Sequence, residues 1–299
     1  MTNITVKLPK NLTMPVKIYL KEHCGLSATI WKRIKHSGTF AINGIIANAT
    51  QSIVKNSDVI SYDILRPSNI EPEDLPLDIR YEDDWLLIVN KPAGMLVHPT
   101  TKEPHGTLGN AVIHYYLQKN TMHAFHPVHR LDRDTSGLVL IAKEPQIQYK
   151  LSPKGQKLFT RDYLAIVKGN LTPPAGTIDV PIARALPSII LRKAAPEGKP
   201  ACTHYQTLNV NNGLSLIKLR LETGRTHQIR VHMAHIGHPL IGDDLYGGDL
   251  NIITRQALHA YQLQFIHPMS HQPIAISAPM PPDMSRVLSA FNLSDNNCY

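Results

Sequence analysis

His129-Arg130-Leu131-Asp132-Arg133-Asp134-Thr135-Ser136-Gly137 runs directly into Leu138-Val139-Leu140-Ile141-Ala142, and the junction between the two decides how this chain is read. A stretch carrying two carboxylates, two guanidiniums and two hydroxyls leads into a run that is wholly apolar. Core packing has no use for that polar mixture, whereas the apolar run has the composition of a buried strand. The junction therefore predicts a chemically active loop held in place by the strand that follows it.

Working outward, Leu86-Leu87-Ile88-Val89 is strand-like, Thr107 to Tyr116 suggests a helix, and Ser215 to Leu221 alternates Leu216, Lys218 and Arg220 against Ile217, Leu219 and Leu221. Strands and helices that alternate irregularly predict an α+β fold with a mixed, largely antiparallel sheet over residues 79–290. Asn90 to Pro99, with Pro92 and Gly94, has the chemistry of a turn that ends a strand and is read as structural. Thr223-Gly224-Arg225-Thr226-His227-Gln228-Ile229-Arg230-Val231-His232 follows the alternating strand, and Gly224 breaks it, so its polar residues emerge at a strand-to-helix junction. Arg225 and Arg230 are then candidates to meet a carboxylate or a phosphate. A carboxylate beside an arginine stays ionised, which suits nucleophilic or electrostatic catalysis rather than general-acid work. Composition alone does not choose between Asp132 and Asp134.

Residues 13–63 read as a separate small α/β unit, followed by a Pro-rich, acidic linker at 64–78. Val16, Ile18, Tyr19 and Leu20 begin one helical segment; Leu26-Ser27 caps a second that places Ile30, Trp31 and Ile34 on one side and Lys32, Arg33 and Lys35 on the other. Phe40 to Ile45 is a hairpin turned at Asn43-Gly44, and Asp58 to Tyr62 is a further strand. The basic helix face fits a phosphate backbone, and a solvated surface accounts for it equally well. An excess of Lys and Arg (31) over Asp and Glu (23), giving +8 and a pI near 9.3, suggests a polyanionic partner without establishing one. The cysteines Cys24, Cys202 and Cys298 are too far apart in sequence to suggest a redox motif or metal pair, the N-terminus lacks the apolar core of a signal peptide, and no apolar run approaches a membrane span. The cytoplasm is the expected compartment.

Taken in order, His129-Arg130-Leu131-Asp132 with Thr135-Ser136-Gly137, then Asp162-Tyr163-Leu164-Ala165-Ile166-Val167-Lys168-Gly169, then Gly224 to His232 with Gly237-His238-Pro239-Leu240-Ile241-Gly242-Asp243, and finally Arg255-Gln256-Ala257-Leu258-His259, resemble the successive motifs of RluA-type pseudouridine synthases. The stretch from Leu20 to Tyr62 resembles the small S-four-type RNA-binding module, on Leu26-Ser27, Ile34, Gly38, Ile42-Asn43-Gly44 and Asp58-Val59-Ile60. The first resemblance implies that Asp132 is the essential aspartate, attacking or stabilising the ribose while the bond from ring nitrogen to sugar breaks. It implies that Tyr163 stacks on the target base, that Arg230 pairs with Asp132, and that Arg225 shapes its motif. Arg130 would hold the flipped nucleotide or fill the space it leaves, since a uridine in folded RNA must leave its stack to react. His129 either contacts RNA or orients the loop through a backbone hydrogen bond. Asp134 is left as a loop or cap residue, and Arg161 stands where the family often has lysine.

The implied product is a more stable C-glycoside, so no cofactor is expected. The expected partner is RNA, large-subunit ribosomal RNA first and transfer RNA as the alternative, bound by a monomer. No metal is expected: His227, His232, His235 and His238 crowd one segment, but it reads better as a helix end than as a zinc site. A hydrolase using Asp132 and Asp134 as paired carboxylates is disfavoured because near-adjacent loop residues rarely span a glycosidic bond. A non-catalytic RNA-binding or ribosome-assembly protein is the remaining rival.

Overall fold

The computed structural model describes residues 2 to 293 apart from 27, 29–30, 32–33, 36–38, 64–68, 120, 122, 154–155 and 189. Its main feature is a ten-stranded sheet whose principal path runs Ala175–Asp179, Cys202–Asn211, Leu214–Leu221, Phe159–Lys168, Leu258–Ile266, Ser136–Ala142, Leu86–Lys91, Asp78–Glu82. Neighbours pair antiparallel except Ser136–Ala142 with Leu258–Ile266, which pair in parallel. The fold is α+β with a mixed, largely antiparallel sheet.

Both faces of the central strands are buried, so their sequences read as continuous apolar runs rather than alternating ones. Side-chain parity then assigns each residue to a layer. Tyr163, Ala165 and Val167 share a cluster with Val89, Val139, Ile229 and Met233, and with Leu108 and Val112 of the helix Leu108–Gln118. Leu164 and Ile166 point the other way, onto Met284 and Leu288 of the helix Pro282–Ala290. Leu138 and Leu140 pack on Ile147 and Leu151 of the helix Pro145–Leu151. Each fully buried Leu or Ile is worth about 1.5–3 kcal/mol of transfer free energy, which makes this three-layer platform rigid enough to hold a site. Tyr163 lies on the layer that also carries the helix Gln228–His235, and the chemistry gathers there.

The small unit begins earlier than residue 13. Thr2–Thr5 pairs antiparallel with Val59–Asp63, which pairs in turn with Thr39–Ile42, and Val6 and Leu8 are buried in the same core as Val16, Leu20, Trp31, Ile34, Phe40 and Ile60. A short strand spelled Thr-Asn-Ile-Thr offers too little apolar periodicity to be seen in sequence. The Asn43-Gly44 turn forms as expected, with both residues at positive φ (50° and 77°) between Thr39–Ile42 and Ile45–Ile46. Of the four residues that begin the first helical segment, Ile18 is 40% exposed, and Val16, Tyr19 and Leu20 are the buried ones.

The described part of the segment read as a linker is docked on the large domain. Glu73 accepts from the backbone amide of Gly106 and bonds His105, and Asn110 donates to the Glu71 carbonyl. Proline and acidic residues read as a free connection in sequence, but an extended chain can satisfy its backbone against a neighbour at every step.

Candidate active site

The 132–136 loop is held from three directions. Lys91, fully buried at the end of the strand Leu86–Lys91, donates from Nζ to the carbonyls of Pro92, Met95 and Arg133 at 2.8, 2.8 and 2.9 Å. Arg255, paired through two nitrogens with Asp283, donates to the Asp134 carbonyl at 3.0 Å. Gln256 donates to the Thr135 hydroxyl, and Ser136 bonds His259 at 2.9 Å. The loop closes on itself where the Thr135 amide donates to the Asp132 carbonyl. Gly137 is required where the loop becomes strand: its φ is +119°, and a Cβ there would stand 2.3 Å from the Ala260 carbonyl oxygen of the parallel neighbour.

This leaves the Asp132 side chain, 21% exposed, facing a pocket of about 300 Å³. Tyr163, Arg130, Arg225, His227 and Arg230 line the same pocket. Arg230 Nη1 is 3.9 Å and His227 Nε2 is 4.0 Å from Asp132 Oδ2. The expectation that Arg230 pairs with the aspartate is met only as this loose contact. Its tight partner is Asp243, which receives Nε and Nη2 at 2.7 Å each and also accepts the amides of Leu245 and Tyr246. Burial alone would lower the Arg230 pKa, but the Asp243 and Asp132 carboxylates outweigh it and raise it, so the cation is permanent. The Tyr246 ring lies 5.1 Å from that guanidinium, and its hydroxyl bonds His227 Nδ1 at 2.9 Å.

Motif order explains how these groups arrive. Leu214–Leu221 ends, and Gln228 pins the returning chain: its Oε1 accepts from the Arg225 amide and the Thr223 hydroxyl, and its Nε2 donates to the Cys202 carbonyl. His227 then precedes the helix Gln228–His235 in the left-handed region at φ 57°, ψ 21°, a conformation uncommon for a residue with a side chain. Burial pulls its imidazole pKa down, opposed by Asp132 and reinforced by Arg230, which favours the neutral ring near pH 7. Tyr163 is buried, and burial raises its phenol pKa, with Asp132 adding to the rise and Arg161 opposing it. The phenol is therefore neutral and able to donate.

Two cations beside the pocket escaped notice in the sequence. Lys157, with its pKa lowered to about 7 by burial and by the guanidiniums of Arg161 and Arg225, reaches over Gly224, where any Cβ would collide with its Nζ. Lys91 was read as part of a turn; its signal was an Asn-Lys-Pro sequence at a strand end beside a polar loop. Burial pushes its pKa down to about 7, against the pull of Asp134 and Asp132. Gln228 and Asp243 stand in the sequence as letters of the motifs, with no local signal of these roles.

His129 does not face the pocket. It is buried, stacked on Phe159, and its Nε2 accepts the Leu140 amide at 3.2 Å. Of its two readings, the structure supports loop orientation, and burial holds its pKa well below the usual value, so the ring is neutral and can accept. Arg225 lines the pocket while its Nε donates to the Pro200 carbonyl, in keeping with a motif-shaping residue. Lys35 is exposed on the small unit, and Lys32 and Arg33 lie outside the described residues. His232 is not free to join a histidine cluster, since Nδ1 bonds the Thr203 hydroxyl and Nε2 the Val180 carbonyl; His238 Nδ1 bonds the Lys168 carbonyl.

A rigid mixed sheet, a pocket of nucleoside size and an aspartate flanked by arginine, histidine and a buried tyrosine define an RNA-modifying enzyme of the base-isomerising kind once relatives are considered. Residues 85–235 match the family described as RNA pseudouridylate synthase. The uncharacterized RNA pseudouridine synthase YjbO of Bacillus subtilis (strain 168) is 39% identical over 285 residues, covering 93% of this chain and 100% of that protein. Ribosomal large subunit pseudouridine synthase D of Escherichia coli (strain K12) is 40% identical over 264 residues, covering 83% of this chain and 81% of that one. Among solved structures, human RNA pseudouridylate synthase domain containing 4 superposes with a TM-score of 0.59 at 22% identity, over 73% of this chain and 94% of its own, a likeness of fold. Human RNA pseudouridylate synthase domain containing 1 gives 0.58 at 25% identity, over 75% and 90%. The chain belongs to the RluA-type RNA pseudouridine synthases, enzymes that isomerise uridine within RNA.

Proposed function

We propose that this enzyme makes pseudouridine in large-subunit ribosomal RNA, with Asp132 acting on the ribose of a uridine flipped into the pocket. The observation that carries this reading is the Asp132 carboxylate facing the pocket with Tyr163 on its wall and Arg230 and His227 at its back. The ribosomal target rests on the 40% identity to a synthase named for the large ribosomal subunit. Asp132 attacks C1′ or stabilises positive charge there as the N1–C1′ bond breaks; the freed uracil turns, C5 bonds to C1′ while any Asp132–C1′ bond breaks and returns the carboxylate, the C5 proton leaves and N1 gains a proton. Atoms balance without a cofactor. The pinned loop supplies the fixed geometry such a step needs, because little reorganisation remains to be done when charge develops. The Tyr163 ring offers a face for the uracil while it turns, and Arg130, exposed at the rim, holds the displaced nucleotide or the space it vacates.

The small unit, with its S-four-type pattern, docks RNA with the help of the basic residues Lys32, Arg33 and Lys35, and the enzyme works as a cytoplasmic monomer. No helix among the described residues is long and apolar enough to cross a membrane. The test is pseudouridine mapping in total RNA from cells lacking the gene, complemented with the native gene or with Asp132→Ala. The expected result is loss of pseudouridine at large-subunit positions, restored by the native gene alone. Loss confined to transfer RNA overturns the target; restoration by Asp132→Ala overturns the role of the aspartate.

A further inference from the structure

Away from the pocket, three metal-ligating side chains converge on one end of the large sheet. Cys202 and His204 are two residues apart on one strand and so share a face, and Glu222 follows the end of the neighbouring strand, its amide donating to the Cys202 carbonyl. One donor atom from each lies within 4.8 Å of the others. His204 Nε2 stands 2.7 Å from Glu222 Oε1 and 3.9 Å from Cys202 Sγ. Ligand atoms around a tetrahedral zinc ion are separated by about 3.5 Å, so side-chain shifts of about an ångström or less bring the three to coordinating positions. The other ring nitrogen, His204 Nδ1, bonds the Thr177 hydroxyl at 2.8 Å. That contact suits a metal-binding histidine, whose remote nitrogen is held by an outer partner that fixes the ring and its tautomer. Asp179 stands opposite Cys202 on the next strand and adds negative charge to the same place.

We propose that Cys202, His204 and Glu222 form a binding site for one divalent ion of the zinc class. Neither the cysteine spacing nor the histidine-rich segment points to this group in sequence, because its members come from two paired strands and meet through their register. A sulfur, an imidazole and a carboxylate select zinc or cobalt over magnesium or calcium, which prefer all-oxygen sites. Three protein ligands leave a fourth position for water. On binding, the Cys202 S–H proton passes to solvent as the metal–sulfur bond forms. The ion would also brace the turn that leads into the helix Gln228–His235, because the Cys202 amide donates to the Thr223 hydroxyl and Gln228 donates to the Cys202 carbonyl.

The experiment uses untagged, chelator-treated full-length protein titrated with zinc chloride by calorimetry, and with cobalt chloride by absorption. The expected result is one zinc per chain, a sulfur-to-cobalt charge-transfer band, and a zinc-dependent rise in the unfolding temperature. Cys202→Ser should remove the band while Cys24→Ser keeps it. Glu222→Gln and Thr177→Val, both at the surface, should weaken zinc binding about tenfold or more without disturbing the fold. Absence of stoichiometric binding to the native chain, a cobalt band that survives Cys202→Ser, or zinc affinity unchanged in both Glu222→Gln and Thr177→Val overturns the proposal.

Discussion

Two aspartates face the same guanidinium and are treated in opposite ways. Asp243, in the turn after the helix Gln228–His235, is 0% exposed and takes two 2.7 Å bonds from Arg230 together with two backbone amides. Asp132, on the pinned loop, reaches Arg230 only at 3.9 Å and His227 only at 4.0 Å. A carboxylate with its lone pairs filled by charge-assisted bonds has nothing left for chemistry. One held near two basic groups, with its backbone fixed and its oxygens incompletely bonded, is available to a substrate. Asp243 fixes the arginine, and the arginine's charge bears on Asp132.

The comparison breaks most visibly if the two acids are exchanged for amides. Asp132→Asn is expected to lower the rate of pseudouridine formation by about 10⁴-fold or more, as loss of a nucleophile does in other enzymes, with urea unfolding changed by less than about 1 kcal/mol because the side chain is partly exposed. Asp243→Asn should do the reverse to stability, costing about 3–5 kcal/mol by leaving Arg230 buried without its counter-charge. Single-turnover assays and urea denaturation on both variants decide this. If Asp132→Asn unfolds and Asp243→Asn folds normally but is inactive, the division of labour is the wrong way round. A smaller effect is expected for His227→Ala, which removes the second neighbour of Asp132 and the bond to Tyr246: about 10–100-fold in kcat with KM little changed, since what is lost is orientation. A rise in KM alone would make His227 a binding residue.

How much of this was legible in sequence follows from the range of each interaction. The polar loop, the buried strand after it and the Gly224 break are local patterns, and each formed where it was expected. What sequence could not supply was the pairing of distant residues. Lys91 meets the Arg133 carbonyl 42 positions away, and Arg255 meets the Asp134 carbonyl 121 positions away; neither contact leaves a periodic trace. His129 shows the same limit, because only the strand register decides that its ring points at the Leu140 amide rather than into the pocket. Asp243 was visible as a letter in a motif, but its role depends on a bidentate geometry that only the folded turn creates.

Lys91 offers the finest test, since it fixes the loop that carries Asp132 without touching either acid's partners. Its three carbonyl acceptors each take an N–H, and only the ammonium has three to give. Burial opposes the charge and lowers the pKa from 10.5 to about 7, with Asp134 and Asp132 pulling the other way. Between those two values the unfolded chain binds a proton that the folded protein does not, so the contribution of Lys91 to stability rises as pH rises through this window and is flat below it. Lys91→Met has no such group. The stability gap between the native enzyme and Lys91→Met, measured by urea unfolding at pH 7, 8.5 and 9.5, should therefore widen in favour of the native enzyme with each step. A gap that stays constant would mean that the two carboxylates and three carbonyls hold the ammonium charged throughout. The loop under Asp132 would then rest on a permanent cation, as Asp243 does.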